Sequence, residues 1–212
     1  MGRAGRGWLA GCVAAVFVVA GCTGGQADED GQAGDAPGVI VPGGPGERAT
    51  VLPADQAGGA ATKPNAADVR YMSMMIPHHH QAIEMTDLVD DRAADEQVRA
   101  LAGRIAVAQD AEIVTMRQWL DRHGHGGHED AHGLMPGMAT PREMAALKAA
   151  SGPEFDRLFL RLMIAHHEGA LTMAADQQAN GIEPRALEMA QDVLSSQAAE
   201  IDRMRALLDG SR

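Results

Sequence analysis

Two stretches of this sequence set imidazoles beside thioethers at one spacing. "MIPHHHQAIEM" at residues 75–85 and "MIAHHEGALTM" at 163–173 are related by a constant shift of 88. The shared positions are Met75, His78, His79, Ala82 and Met85, matched by Met163, His166, His167, Ala170 and Met173. On a helix, with about 100° between successive residues, these five fall within an arc of roughly 120°. The same shift carries "QDAEIVTMR" at 109–117 onto "QAAEIDRMR" at 197–205, so Gln109, Glu112 and Met116 are repeated as Gln197, Glu200 and Met204. Imidazole with thioether is a borderline-to-soft donor set. It favours copper, Cu(I) above all, over iron or manganese. Zinc is compatible with the imidazoles but gains nothing from Met. A carboxylate-bridged di-iron centre needs Glu-x-x-His on two helices. The expectation is a chain without Glu-x-x-His, so di-iron is disfavoured.

A Gln and a Glu on an otherwise apolar stripe are costly to bury without partners. The repeated histidines are natural partners for them. Neighbouring side chains on a helix point about 100° apart, so one imidazole of a pair can take a metal while the other bonds Glu112 or Glu200. A second reading also stands at this point: a purely structural His–Glu network, with the methionines as adaptable core filler. His80 lies on another face and is replaced by Glu168 in the second copy, which marks it as a solvated position. Between the copies runs "HGHGGHEDAHGLMPGM". There His123, His125, His128 and His132, with Met135 and Met138, form a second candidate metal site in a Gly-rich loop. The alternatives are an incidental soluble loop, or an "MPGM" turn that docks its methionines into the bundle.

Four long segments must position these side chains. The first is expected from Asn65 or Asp68 to Asp90, with a kink or a fresh start at Pro77. The second runs from about Asp95 to His123 and stops at Gly124. Thr140 as N-cap and Pro141 at the first helical position open a short connecting helix. The third and fourth run from Pro153 to the Asn180-Gly181 cap signal, and from Pro184 to Gly210. The repeat makes these two helical hairpins, about 66–123 and 153–210, around a His/Gly-rich loop at 124–139. Each hairpin has one apolar stripe, and burying the two against each other gives an all-α four-helix bundle over 66–210. Aromatic residues make up only 3% of the chain, which suits close-packed helices better than a β-sandwich.

The ends place the bundle. Arg3 and Arg6 precede a short apolar run from Trp8 to Ala20, too short for a comfortable membrane span. The run ends in Val19-Ala20-Gly21-Cys22, which resembles a bacterial lipobox: residues 1–21 read as a lipoprotein signal peptide and Cys22 as the lipid-bearing residue. Residues 22–65, rich in Gly, Ala, Pro, Asp and Gln, read as a disordered tether. The expected location is therefore extracytoplasmic, lipid-anchored to the bacterial cell membrane. Cys12 leaves with the signal, so neither a disulfide nor a thiolate metal site is available. A net charge of −11 argues against nucleic acid as a partner.

In combination, the doubled Met-x-x-His-His-x-x-Ala-x-x-Met motif, the Gln/Glu/Met stripes and "MPGMAT" at 135–140 resemble domain-of-unknown-function family 305, over about residues 66–209. The resemblance implies an exported bacterial protein with a ferritin-like four-helix fold. Some members are implicated in periplasmic copper binding and copper tolerance. It carries metal-binding roles to His78, His79, His166, His167, Met75, Met85, Met163 and Met173. Pro77 in place of Ala165, and the extra His80, depart from the repeat and put the equivalence of the halves in doubt. The leading expectation is a membrane-tethered protein that buffers or transfers copper. The competitors are a non-metal protein-interaction bundle, in a protein complex or homo-oligomer, and a metal-dependent redox enzyme.

Overall fold

The computed structural model describes residues 38–41, 48–53, 62–127 and 134–210. The expected signal peptide, Cys22, His128 and His132 lie outside the described residues. The chain divides into two units, Met1–Gly59 and Ala60–Arg212. In the first, β1 (Gly38–Val41) pairs antiparallel with β2 (Thr50–Pro53), Val39 opposite Leu52 and Ile40 opposite Val51. The β-branched runs "VIV" and "TVL" supply this pairing inside a stretch whose composition otherwise reads as tether.

The second unit is all-α. Helix α1 (Ala66–Thr86) is followed by one turn, α2 (Val89–Arg92), then α3 (Glu96–Arg122), α4 (Pro141–Ala149), α5 (Gly152–Asn180) and α6 (Pro184–Gly210). The start of α1 is a capping box: the Asn65 side chain accepts from the Ala67 and Asp68 amides, and Asp68 accepts from the Asn65 amide. Thr140 and Glu143 make the same reciprocal arrangement before α4, with Pro141 at its first position. Helix α1 packs along α3, α5 along α6, and α1 against α5, which joins two antiparallel hairpins into a four-helix bundle.

The core repeats as the sequence does. One apolar cluster contains Met85, Leu101, Ile105, Phe159, Met163, Ile201 and Met204. The other contains their counterparts at the shift of 88: Met173, Met189, Val193, Tyr71, Met75, Ile113 and Met116. Along each long helix a polar position separates the clusters: His78 and His79 on α1, Gln109 on α3, His166 and His167 on α5, Gln197 on α6. All six are buried. The bundle is thus two copies of one apolar core on either side of a polar layer.

Two local expectations change. Helix α1 is continuous through Pro77, with no fresh start there. Met72, Met75, Ile76, His78 and His79 are buried on both sides of the proline, and that packing holds the turn despite the missing amide donor. Gly181 does end α5, but in an extended conformation (φ −76°, ψ 160°) rather than the left-handed one of a C-cap glycine. It is required for space, since a Cβ there would overlap Gln177 Nε2 and Asp68 Oδ1.

Those last two residues belong to a clamp. Fully buried Asp68 accepts from Gln177 Nε2 and from the Ile182 and Glu183 amides in the α5–α6 turn. Asp156, its counterpart at the shift of 88, accepts from the Ala94 and Asp95 amides in the turn before α3. Each hairpin therefore caps the turn of the other, which satisfies donors that would otherwise be left unpaired at buried helix ends.

Candidate metal centre

The polar layer is built from four imidazoles, all with no exposed surface. His79 Nε2 donates to Glu112 Oε2 at 2.6 Å, and His167 Nε2 donates to Glu200 Oε2 at 2.8 Å. The bridges span the two helices of a hairpin and are copies of each other. The central pair breaks the symmetry. His166 Nε2 donates to the His78 carbonyl at 2.8 Å, whereas His78 Nε2 donates to the Pro136 carbonyl at 3.0 Å. The His78 and His166 rings lie against each other, centroids 3.8 Å apart and planes tilted by 35°.

All four Nε2 atoms are thus committed as donors. All four Nδ1 atoms are buried without a hydrogen-bond partner among the described residues, and so are both amide atoms of Gln109 and the Gln197 carbonyl oxygen. Each unsatisfied buried polar atom costs about 1–3 kcal/mol, so this layer opposes stability. Burial pushes the His78 imidazole down to about 3 from its ordinary 6.5, and the neighbouring His79 and His167 add to that, against the Pro136 hydrogen bond. His166 is held well below the ordinary range, first by burial and then by His78 and His167. Both rings are neutral at pH 7, and with Nε2–H donating, Nδ1 presents a lone pair. A ring nitrogen fixed by a hydrogen bond on its opposite edge is how protein imidazoles are presented to metals.

A strap from the connecting segment lies over the layer. Gln81 grips it with both amide atoms, accepting from the Ala139 amide and donating to the Ala139 carbonyl. Gly137, at φ 76°, lies against Gly169 of α5 so closely that a Cβ on either would fall into the other's backbone. Gly169 stands where the first copy has Gln81. The repeat is therefore altered in both halves at the position that seats the strap.

The remaining candidates are dispersed. Met75, Met85, Met116, Met163 and Met204 are fully buried in the apolar clusters, and Met173 is half-buried. Met135 is buried in the strap, and its amide donates to Met138 Sδ at 3.4 Å. His123 lies tilted against Trp119, ring centroids 4.5 Å apart, and the His125 amide donates to the Leu120 carbonyl. Those positions serve the end of α3 and the strap. His80 is exposed but not idle, because it accepts from Arg117 at 2.9 Å exactly where Glu168 accepts from Arg205 in the other copy. Among the described residues, no three of His, Cys, Asp and Glu are grouped as ligands of one ion. Contrary to the expectation of none, the chain holds one Glu-x-x-His, Glu129 to His132, outside the described residues.

The model for the domain of unknown function DUF305 matches residues 68–208, the whole bundle. The chain belongs to the DUF305 family. Among solved DUF305 structures, a protein described as secreted, from Streptomyces coelicolor, is 34% identical over 68% of this chain and 93% of its own, with a TM-score of 0.65. CopM in its Cu(I)-bound form is 30% identical, over 68% of this chain and 96% of CopM, with a TM-score of 0.59. CopM is also known in Cu(II)-bound and Ag-bound forms. An uncharacterised protein, L153 of Acanthamoeba polyphaga mimivirus, is 39% identical over 54 residues, which is 26% of this chain and 36% of the viral protein. The DUF305 fold is the all-α bundle described above, and copper binding occurs among its members.

Proposed function

We propose that this DUF305 protein binds copper outside the cytoplasmic membrane, as Cu(I), through the Nδ1 atoms of His78, His79, His166 and His167. The observation that carries the reading is four buried imidazoles with Nε2 committed and Nδ1 without a partner. Of the motif methionines, Met75, Met85 and Met163 are buried in the apolar clusters on either side of the layer and are the thioethers it can draw on. Charge favours a monovalent ion. Glu112 and Glu200, one per copy, offset one positive charge each, whereas a divalent ion in each copy would leave excess charge in a dry layer. Cu(I) is stable with two or three soft or borderline ligands, whereas structural zinc takes four in a tetrahedron and gains nothing from thioethers. Copper is cargo in this reading, and ligand exchange among imidazole and thioether is the chemistry of buffering or transfer.

The test is competitive Cu(I) titration of the chain against a variant with all four histidines changed to Gln, which keeps a donor for each acceptor. Uptake in the native chain and its loss in the folded variant is the expected result. Equal uptake sinks the reading and leaves the His–Glu layer as the core of an interaction bundle. Turnover in oxidase assays with copper bound would favour an enzyme instead. Attachment through a lipid on Cys22 is part of the proposal, motivated by the Val19-to-Cys22 motif. Cys22→Ser should move the protein from the membrane to the soluble fraction, and unchanged fractionation would remove the anchor.

A further inference from the structure

Four imidazoles with no exposed surface need a route by which an ion reaches them. A cleft of about 310 Å³ opens between α1 and α5, lined by Tyr71, Met74, Met173 and Pro136, with the Arg70–Asp176 ion pair on its rim. Both methionines are half-buried. The Tyr71 hydroxyl is buried there without a partner among the described residues. Pro136 joins the cleft to the layer, because its carbonyl holds His78 Nε2.

The pseudo-symmetric groove shows what closing such a cleft takes. Met74 and Met173 correspond to Leu162 and Met85, and Arg70 and Asp176 to Leu158 and Leu88. Those four apolar side chains share one cluster with Met144 and Leu147 of α4. Lys148 of the same helix pairs with Glu84 at 2.5 Å. A short amphipathic helix thus seals one groove, leaving Leu162 at 8% and Met85 at 0% exposure. No described element covers the other, and its lining carries Met74, the Tyr71 hydroxyl and an ion pair where the sealed groove carries Leu162, Phe159 and the pair Leu158 and Leu88. A separate cleft of about 140 Å³ reaches Glu112; it has one thioether, the buried Met189, but otherwise offers the Glu112 and Asp192 carboxylates and the Arg185 guanidinium, a harder and partly repulsive set for a soft cation.

We infer that the thioethers of Met74 and Met173 form a surface site for a soft monovalent cation, the port through which it passes to the imidazole layer. As a port, the site rests on the copper reading; as a thioether site, it stands on the cleft alone. Met74 has Leu as its counterpart, and Met→Leu nearly conserves volume, so Met74→Leu/Met173→Leu removes the donors and leaves the fold.

The test uses the full chain with 13C-labelled methionine methyls and Ag(I) as a redox-inert probe, the two signals being assigned from the single variants. The methyls of Met74 and Met173 should move first, at substoichiometric Ag(I). In the double variant the histidine 15N signals should reach the same end point but respond about tenfold more slowly, the change expected for about 1.4 kcal/mol of lost interaction. Unmoved methyls at 74 and 173, or an unchanged rate, would overturn the port and point to the Glu112 cleft. If these methyls shift while the histidines never respond, the thioether site stands and the copper reading of the layer fails instead.

Discussion

Met85 and Met173 hold the same place in the repeat and have different surroundings. Met85 is sealed among Leu88, Leu158 and the α4 side chains Met144 and Leu147, while Met173 lines an open cleft. The same contrast recurs along the bundle. The inward residues are duplicated, down to the His79–Glu112 and His167–Glu200 bridges. The coverings are not. Helix α4 lies on one side only, the strap takes His78 Nε2 and leaves His166 to a helix carbonyl, and Trp119, bonded to Glu183 at 2.8 Å, has Leu207 as its counterpart beside a cleft of about 290 Å³. Duplication supplied the donors. The segment between the copies made the two halves unequal, and access to the layer follows from that segment.

The largest effect that probes this comparison is acid unfolding of the metal-free protein. His78 titrates near 3 in the fold against 6.5 when unfolded, and His166 is shifted the same way. Below pH 6.5 the unfolded chain binds protons that the folded chain refuses. The contribution is therefore complete above 6.5 and is lost as pH falls toward the folded values. Each ring removes up to about 1.4 kcal/mol per pH unit within its window. Urea denaturation with chelator between pH 7 and 4.5 should show that slope, reduced by a similar amount in His78→Gln and in His166→Gln. A slope that neither variant changes would mean the two rings are not the acid-sensitive core.

The next effect separates the clamps. Asp68→Ala leaves Gln177 Nε2 and the Ile182 and Glu183 amides without their carboxylate, and should cost about 3–5 kcal/mol. Asp156→Ala frees only the Ala94 and Asp95 amides beside an open cleft, and should cost about 1–3 kcal/mol. Equal losses by denaturant titration would show that the turns are held alike in spite of their different coverings.

What the sequence could disclose follows from which forces leave a residue signature. The hairpins, the central faces and the His–Glu partnership were legible because helical period and a fixed offset act on side-chain identity. The carbonyls of Pro136 and His78 that fix the central imidazoles were not, because a backbone acceptor has no residue type. Asp68 and Asp156 share the offset, yet an acidic residue near a helix start reads as a local cap, and their reach across the bundle is tertiary. Gly181 looked like a left-handed cap and is a spacing device instead. Met74 escaped because its counterpart is Leu162, and a repeat argument discards what only one copy has. The asymmetric residues therefore had to come from the structure.

His80 offers the smallest and most direct way to sharpen the comparison. Its ring accepts from Arg117 on the exposed surface, and in the other copy Glu168 does the same for Arg205. His80→Glu restores the second copy's residue and turns a neutral acceptor into a charged one. Because both side chains are solvated, the gain should be no more than about 0.5 kcal/mol at low salt and should fade as salt rises. If His80 only reproduces this outer ion pair, the variant keeps native Cu(I) stoichiometry while its stability rises by that small amount. A loss of bound Cu(I) in the folded variant would instead make the third histidine of the run a ligand that the first copy has and the second lacks.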